Sequence, residues 1–232
     1  IIMRYTIQMD YQNKLERNIK LHYIGEFFAE LLFIIIVWVA YQNQYLTLAQ
    51  TSLLASARYL LMLLLELPTG AFADLAGRKL SVALGLVLNT IGLFSIAFFP
   101  GAESLVIGTL IRAIGDSFVS GSSTALVYDS LQEVGKEDEF AKVRSNSILI
   151  VQFSIIISSV MGGYMFEIWK GLPYFAYGIS TFIAALIYVF MQEPKLDTEK
   201  FTLQNYILQT KLGFQQLFKN AYVTNLTIFY VL

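Results

Sequence analysis

The sequence predicts an all-α membrane protein: six transmembrane helices as two inverted three-helix repeats, a cytoplasmic amphipathic segment and a partial seventh helix. Three observations predict it. Of the 232 residues, 56% are hydrophobic and only 14% charged, where soluble domains carry about 25% charge. Mean hydropathy is +0.59. The apolar residues gather in stretches of about 20, the length of helix that crosses a hydrocarbon core.

Composition also excludes several functions. Without cysteine there is no disulfide framework, thiolate nucleophile or cysteine-ligated metal, and the single histidine, His22, builds no metal cluster by itself. No cofactor and no metal are expected. A net charge of -1 and a pI near 5.9 leave no footprint for nucleic acid.

The spans are expected over residues 21–41, 48–72, 80–99, 105–128, 148–166 and 174–191. The third is ended by Pro100-Gly101 and the sixth by Glu193-Pro194. In hydrocarbon the backbone must satisfy its own hydrogen bonds, so each stretch is read as a helix, the β-propensity of Ile34-Ile35-Ile36 being overruled. Glu66 and Pro68 suggest a break near the end of the second span. Trp38, Trp169, Tyr41, Tyr164 and Tyr174 read as interfacial anchors, with His22 beside Lys20 also interfacial.

Residues 1–20 hold Arg4, Lys14, Arg17 and Lys20 without the apolar core of a signal peptide, and form a cytoplasmic segment before the 21–192 transmembrane domain. With the N-terminus in the cytoplasm, Arg78, Lys79, Lys136, Lys142, Arg144, Lys195, Lys200, Lys211 and Lys219 fall on that side, and the opposite loops hold only Lys170. This asymmetry obeys the positive-inside rule and requires an even number of spans up to Met191. A multi-pass protein of the plasma (cytoplasmic) membrane is expected.

Residues 193–220 form a central loop in which Phe201, Tyr206, Ile207, Leu217 and Phe218 suggest an amphipathic interfacial helix. Residues 221–232 are half a spanning length and read as the start of a seventh helix cut short, so a fragment is expected. Asn225-Leu226-Thr227 within that stretch is a chance glycosylation triplet. Gly70, Asp74, Ala83 and Gly85 map at constant offset onto Gly163, Glu167, Ala176 and Gly178, in helices of opposite direction, which suggests the inverted repeat.

Between the second and third spans the chain reads Gly70-Ala71-Phe72-Ala73-Asp74-Leu75-Ala76-Gly77-Arg78-Lys79, the pattern G-x-x-x-D-x-x-G-R-K. Gly70 permits close helix approach, Gly77 a tight turn, and Asp74 and Arg78 offer opposite charges at one rim. With six spans around it, this loop closely resembles the signature loop of the major facilitator superfamily. The resemblance covers nearly all of 18–232 as the N-terminal half of a facilitator, and implies a missing C-terminal six-helix half as partner. It also implies that Arg78 pairs with the acid ending helix four, here Asp129, and that Gly70, Asp74, Gly77, Arg78, Lys79 and Asp129 form a cytoplasmic gate. Two further family patterns match in part. Arg112 is followed by Gly115 and Asp116 instead of R-x-x-x-G, and Ser158-Ser159-Val160-Met161-Gly162-Gly163 keeps only the glycine pair of the exporters' G-P-x-x-G-G.

Glu26, Glu30, Arg58, Arg112 and Asp116 fall inside spans, where each costs about 2.5 to 3.5 kcal/mol facing lipid. They are expected to face a wet cavity or one another. The helical rise puts Glu30, Arg58 and Asp116 roughly 15 to 20 Å from the cytoplasmic rim, in one layer. Arg112 and Asp116, one turn apart, suggest a pair neutralised within helix four, which leaves Glu30 and Arg58 as the cross-helix pair. Glu26 and Glu30 on one face are the first candidates for proton binding. Gln152 and Asn89 either line the cavity or bridge helices. Ser117, Gly121 and Ala125 form a small-residue stripe for close packing, as do Gly162 and Gly163.

The expected function is therefore secondary active transport of a small molecule by alternating access, coupled to protons, with drug or metabolite efflux favoured. Uptake of a small anion on Arg58 or Arg112 is the alternative within transport. A six-span membrane enzyme lacks a partner for any nucleophile, and a non-transporting scaffold is the remaining rival.

Overall fold

The computed structural model describes residues 2–195 together with 202, 204–208 and 210–212. Phe201, Leu217, Phe218, Lys200, Lys219, the Asn225 triplet and the expected span at 221–232 lie outside the described residues. The described chain is all-helical: α1 (Ile2–Ala29), α2 (Trp38–Gln42), α3 (Leu48–Ala76), α4 (Arg78–Phe98), α5 (Ala102–Val119), α6 (Ser122–Glu133), α7 (Phe140–Ile168) and α8 (Leu172–Val189). Among the described residues, five stretches are long and apolar enough to cross a membrane: α3, α4, Ala102–Glu133, Glu137–Ile168 and α8.

The expected first span, 21–41, is not among these five, and it is not one helix. α1 runs unbroken through residues 20 and 21 to Ala29, turns occupy 30–37, and α2 resumes at Trp38. The run Ile34-Ile35-Ile36-Val37, expected to be overruled into helix, lies in the interruption. Its β-branched side chains disfavour the helical turn, and protein covers part of the irregular backbone, leaving Ile35 and Ile36 exposed. Leu31, Phe33, Ile34 and Val37 are buried. The Phe33 carbonyl lies where a side chain on Gly162 would begin, and Ser180 Oγ donates to the Phe28 carbonyl.

The fourth span is interrupted as well. α5 ends at Val119, Ser120 and Gly121 make the turn with Gly121 at φ 72°, and α6 continues from Ser122. The expected Ser117, Gly121, Ala125 stripe is therefore not a continuous face, because Gly121 supplies a positive φ instead of a contact. Nothing lies within 4 Å of where its Cβ would stand, and the same holds for Gly70. Close approach comes from other glycines: a Cβ on Gly115 would meet the Gly85 carbonyl at 2.5 Å, and one on Gly92 the Gly108 carbonyl at 2.5 Å. These contacts press α4 against α5, backbone to backbone.

α3 runs through Pro68 without the suggested break, and the Thr69 hydroxyl donates to the Leu65 carbonyl one turn back at 2.8 Å. Tyr41 and Tyr174 are not interfacial; both are 1% exposed and their rings meet tilted, with centroids 4.7 Å apart, in the core. His22 is likewise buried.

Spans that an inverted repeat would pair share their character. The first and fourth are both interrupted. The second and fifth are the least buried, with 11% and 17% of their apolar windows inside the protein, and the third and sixth among the most, at 61% and 50%. α4 and α8 pack together as the centre of the bundle, Thr90 and Thr181 joining their hydroxyls at 2.9 Å.

Candidate functional site

Two polar clusters stand out, one inside the spans and one at the end of the bundle where residues 77–79, 129–133 and 190–195 meet. Within the spans, the Arg58 guanidinium on α3 is hydrogen-bonded to the Asp116 carboxylate on α5, and Asn89 Nδ2 on α4 donates to the other Asp116 oxygen at 3.0 Å. This overturns both expected pairings. Arg112 and Asp116 lie one turn apart, but Arg112 turns to the Tyr177 ring on α8, 5.5 Å from its centroid. Glu30 makes no ion pair among the described residues, and Arg58 goes to Asp116 instead. Rotation about each helix axis decides these partners, and residue spacing on one helix says nothing about it.

The cluster is left with unused capacity. Arg58 Nε, Arg112 Nε and Asn89 Oδ1 are buried and have no hydrogen-bond partner. A buried donor or acceptor without a partner costs about 1 to 3 kcal/mol, so such atoms collect where a ligand or water completes them.

Glu26 and Glu30 end α1. Glu26 accepts from Ser123 Oγ at 3.0 Å and from the Tyr188 hydroxyl at 3.1 Å. Glu30 follows the last helical residue, its N–H donating to the Glu26 carbonyl at 3.0 Å. Gln152 is exposed on α7 and makes no contact with the cluster. Ser117 is buried and its carbonyl accepts from Thr69 Oγ1 at 2.8 Å, joining α5 to α3. Ala125 and Gly163 are partly buried.

At the bundle end, Arg78 pairs with Asp129, the partner that the signature loop implied, and Asp74 stands 3.8 Å from the same guanidinium. Gly77 turns the chain with φ 106°, which frees the first amides of α4. Glu193, read from the sequence only as a stop signal, fills that position. Its carboxylate accepts the Arg78 N–H at 2.7 Å and the Lys79 N–H at 2.9 Å, capping α4 across the loop. The positive end of a helix favours such an anion. Burial still pushes the Glu193 carboxyl above its ordinary range, and the Lys79 and Arg78 amides offset this only in part.

The same end is laced to α1. Asn18 Nδ2 donates to Ser130 Oγ at 2.9 Å and to the Gln192 carbonyl at 2.8 Å, and Gln192 N–H returns to Asn18 Oδ1 at 2.9 Å. The Tyr11 hydroxyl donates to Glu133 at 2.9 Å, which with burial pushes its pKa up, and Lys195 N–H donates to the same carboxylate at 2.8 Å.

The family model of the Major Facilitator Superfamily matches residues 22–232. An uncharacterized MFS-type transporter of Bacillus subtilis (strain 168), YxaM, is 28% identical over 160 residues, covering 67% of this chain and 37% of that protein. Quinolone resistance protein NorA of Staphylococcus aureus is 26% identical over 156 residues, covering 66% of this chain and 39% of that protein. The matched region is thus less than two fifths of each of these relatives.

Proposed function

Because this chain belongs to the Major Facilitator Superfamily, whose members are transporters and not enzymes, we propose that it forms the N-terminal six-helix half of a proton-coupled secondary transporter. The chain is a multi-pass membrane protein. In this reading it lies in the plasma membrane with its N-terminus in the cytoplasm, and exports a drug-like or metabolite molecule by rocking against a second six-helix half. The observation that carries the reading is the Arg58, Asp116 and Asn89 cluster, with Arg112 beside it and buried polar atoms left unpartnered. Lipid gives such groups nothing to bind, whereas a cavity that takes a ligand does.

The bundle end then acts as the inner gate. Arg78 with Asp129 and Asp74, and Glu193 on the first amides of α4, hold the α3 to α4 loop while the cavity faces outward. Glu30 takes up and releases the coupling proton. NorA is named for quinolone resistance, and a quinolone carries a carboxylate that the unpartnered Arg112 Nε is suited to meet. The same unpartnered donor favours one second reading, uptake of a small anion.

The test uses the complete protein in liposomes with an imposed pH gradient and norfloxacin as probe. Gradient-driven flux that falls at least tenfold in Glu30→Gln supports proton-coupled export. Flux unchanged by that substitution sinks the coupling assignment. Flux of inorganic phosphate or lactate without norfloxacin flux favours anion uptake, and no flux of any probe favours a scaffold.

A further inference from the structure

α1 carries a polar ladder that the transport site does not absorb: Asn18, His22, Glu26 and Glu30 recur every fourth residue, over roughly 18 Å of helix. Asn18 belongs to the bundle-end lacing and Glu30 lies toward the mid-span cluster. Between them stands a closed network. The Tyr188 hydroxyl from α8 lies 3.1 Å from His22 Nδ1, 3.1 Å from Glu26 Oε1 and 3.0 Å from Ser123 Oγ, and His22 Nε2 lies 3.1 Å from Ser147 Oγ on α7. His22 is 3% exposed. The site is built into the backbone: a Cβ on Gly25 would meet the Tyr188 ring at 2.7 Å, so glycine there lets the ring lie flat on α1 and bring its hydroxyl between imidazole and carboxylate.

We propose that Glu26, Tyr188 and His22 form a proton relay that connects the mid-span site with the cytoplasmic end of the bundle, His22 being the terminal acceptor. This rests on the proton-coupled reading above. The tyrosine hydroxyl has one proton and three partners, His22, Glu26 and Ser123, so its direction follows the charge of its neighbours. With Glu26 protonated, the carboxyl O–H donates to Tyr188, Tyr188 donates to His22 Nδ1, and His22 Nε2–H donates to Ser147. Transfer moves the Glu26 proton onto the Tyr188 oxygen while Tyr188 passes its own to Nδ1. The products are a carboxylate, an intact tyrosine and an imidazolium. The imidazolium then gives up its Nε2 proton to solvent, and exchange with water restores the Nε2–H tautomer. The sum is one proton moved from Glu26 to solvent, with no other atom displaced.

Charged groups flank the ring: Glu26 Oε1 lies 3.9 Å from His22 Nδ1, and Arg144 lies on α7, one turn before Ser147. Tyr23 flanks the ring on α1, its centroid 6.2 Å away, and Glu30 stands one turn beyond Glu26. Histidine titrates nearest neutrality of all side chains, which fits it for the last step of such a chain.

The test compares two norfloxacin fluxes of the complete transporter in liposomes: one driven by a pH gradient, the other counterflow exchange, which needs no net proton movement. In Tyr188→Phe and in His22→Gln the ratio of gradient-driven to counterflow flux is expected to fall at least tenfold. A ratio within twofold of wild type in either folded variant overturns the relay and leaves the transport reading standing. Equal loss of both fluxes in both variants shows a structural network and also overturns it. Wild-type counterflow without gradient stimulation overturns the coupled reading itself, and the relay with it.

Discussion

Two of the ion pairs in this bundle, Arg78 with Asp129 and Arg58 with Asp116, share a chemistry and differ in company. Arg78 and Asp129 meet at the bundle end, where Asp74 stands 3.8 Å away and Glu193 caps the adjoining helix. Arg58 and Asp116 meet inside the spans, helped only by Asn89 and ringed by polar atoms that have no partner. Evolution of a purely structural pair would be expected to saturate the interior one first, since unpaired groups cost most there. The reverse is seen, and the difference separates a pair that fastens from a pair that also waits for something to bind.

The largest test of that contrast is Arg58→Leu. It leaves Asp116 with Asn89 alone in a partly buried site and should destabilise by about 3 kcal/mol, read as thermal unfolding in detergent. Pairing Arg58→Met with Asp116→Leu should recover most of the loss, because removing both charges leaves neither uncompensated. Asp129→Asn comes next, at about 2 kcal/mol, because Asp74 remains near the Arg78 charge. Were Asp129→Asn the costlier change, the contrast would be inverted.

Glu193→Ala uncaps two amides of α4 and is expected to cost about 1 to 2 kcal/mol. It also has a pH signature. The folded chain holds the Glu193 proton at pH values where the unfolded chain, with an ordinary carboxyl near about 4, has lost it. This contribution is complete below that pH and is lost as pH rises through the raised folded value. The variant should lack that decline in a series of melting temperatures against pH. Smallest is Asp74→Asn, whose side chain is 58% exposed and 3.8 Å from Arg78. A stability change under about 0.5 kcal/mol is expected, together with impaired flux if the loop is a gate. Impaired folding instead would assign Asp74 a fastening role.

How much of this was legible depended on whether a residue's partner was written in a local pattern. Spans two, three, five and six follow from apolar length; the helix of the fifth starts eight residues before the expected bound, and the other bounds differ by at most four. The Arg78 to Asp129 pair followed from the signature loop. The interruptions were signalled but weighed wrongly: Ser120-Gly121-Ser122-Ser123-Thr124 is a run of small and hydroxyl residues, and Ile34-Ile35-Ile36-Val37 one of β-branched residues. Depth along a helix could be counted from residue number, and it put Arg58 and Asp116 in one layer. Which way each points within the layer depends on packing against neighbouring helices, so Arg58 meets Asp116 and not Glu30. Glu193 was out of reach for a similar reason, because its ligands are backbone amides more than a hundred residues away.

The cap on α4 has a mechanical side. Glu193 grips the start of α4, and two residues later the Lys195 amide is tied to Glu133 at the end of α6. The chain is thus riveted to two separate helices between residues 193 and 195. A tug arriving from beyond residue 195 meets no slack: it pulls on the loop at Gly77 and on the segment bearing Asp129 together. Whatever the following residues do, their motion is delivered to the two sides of the same clasp.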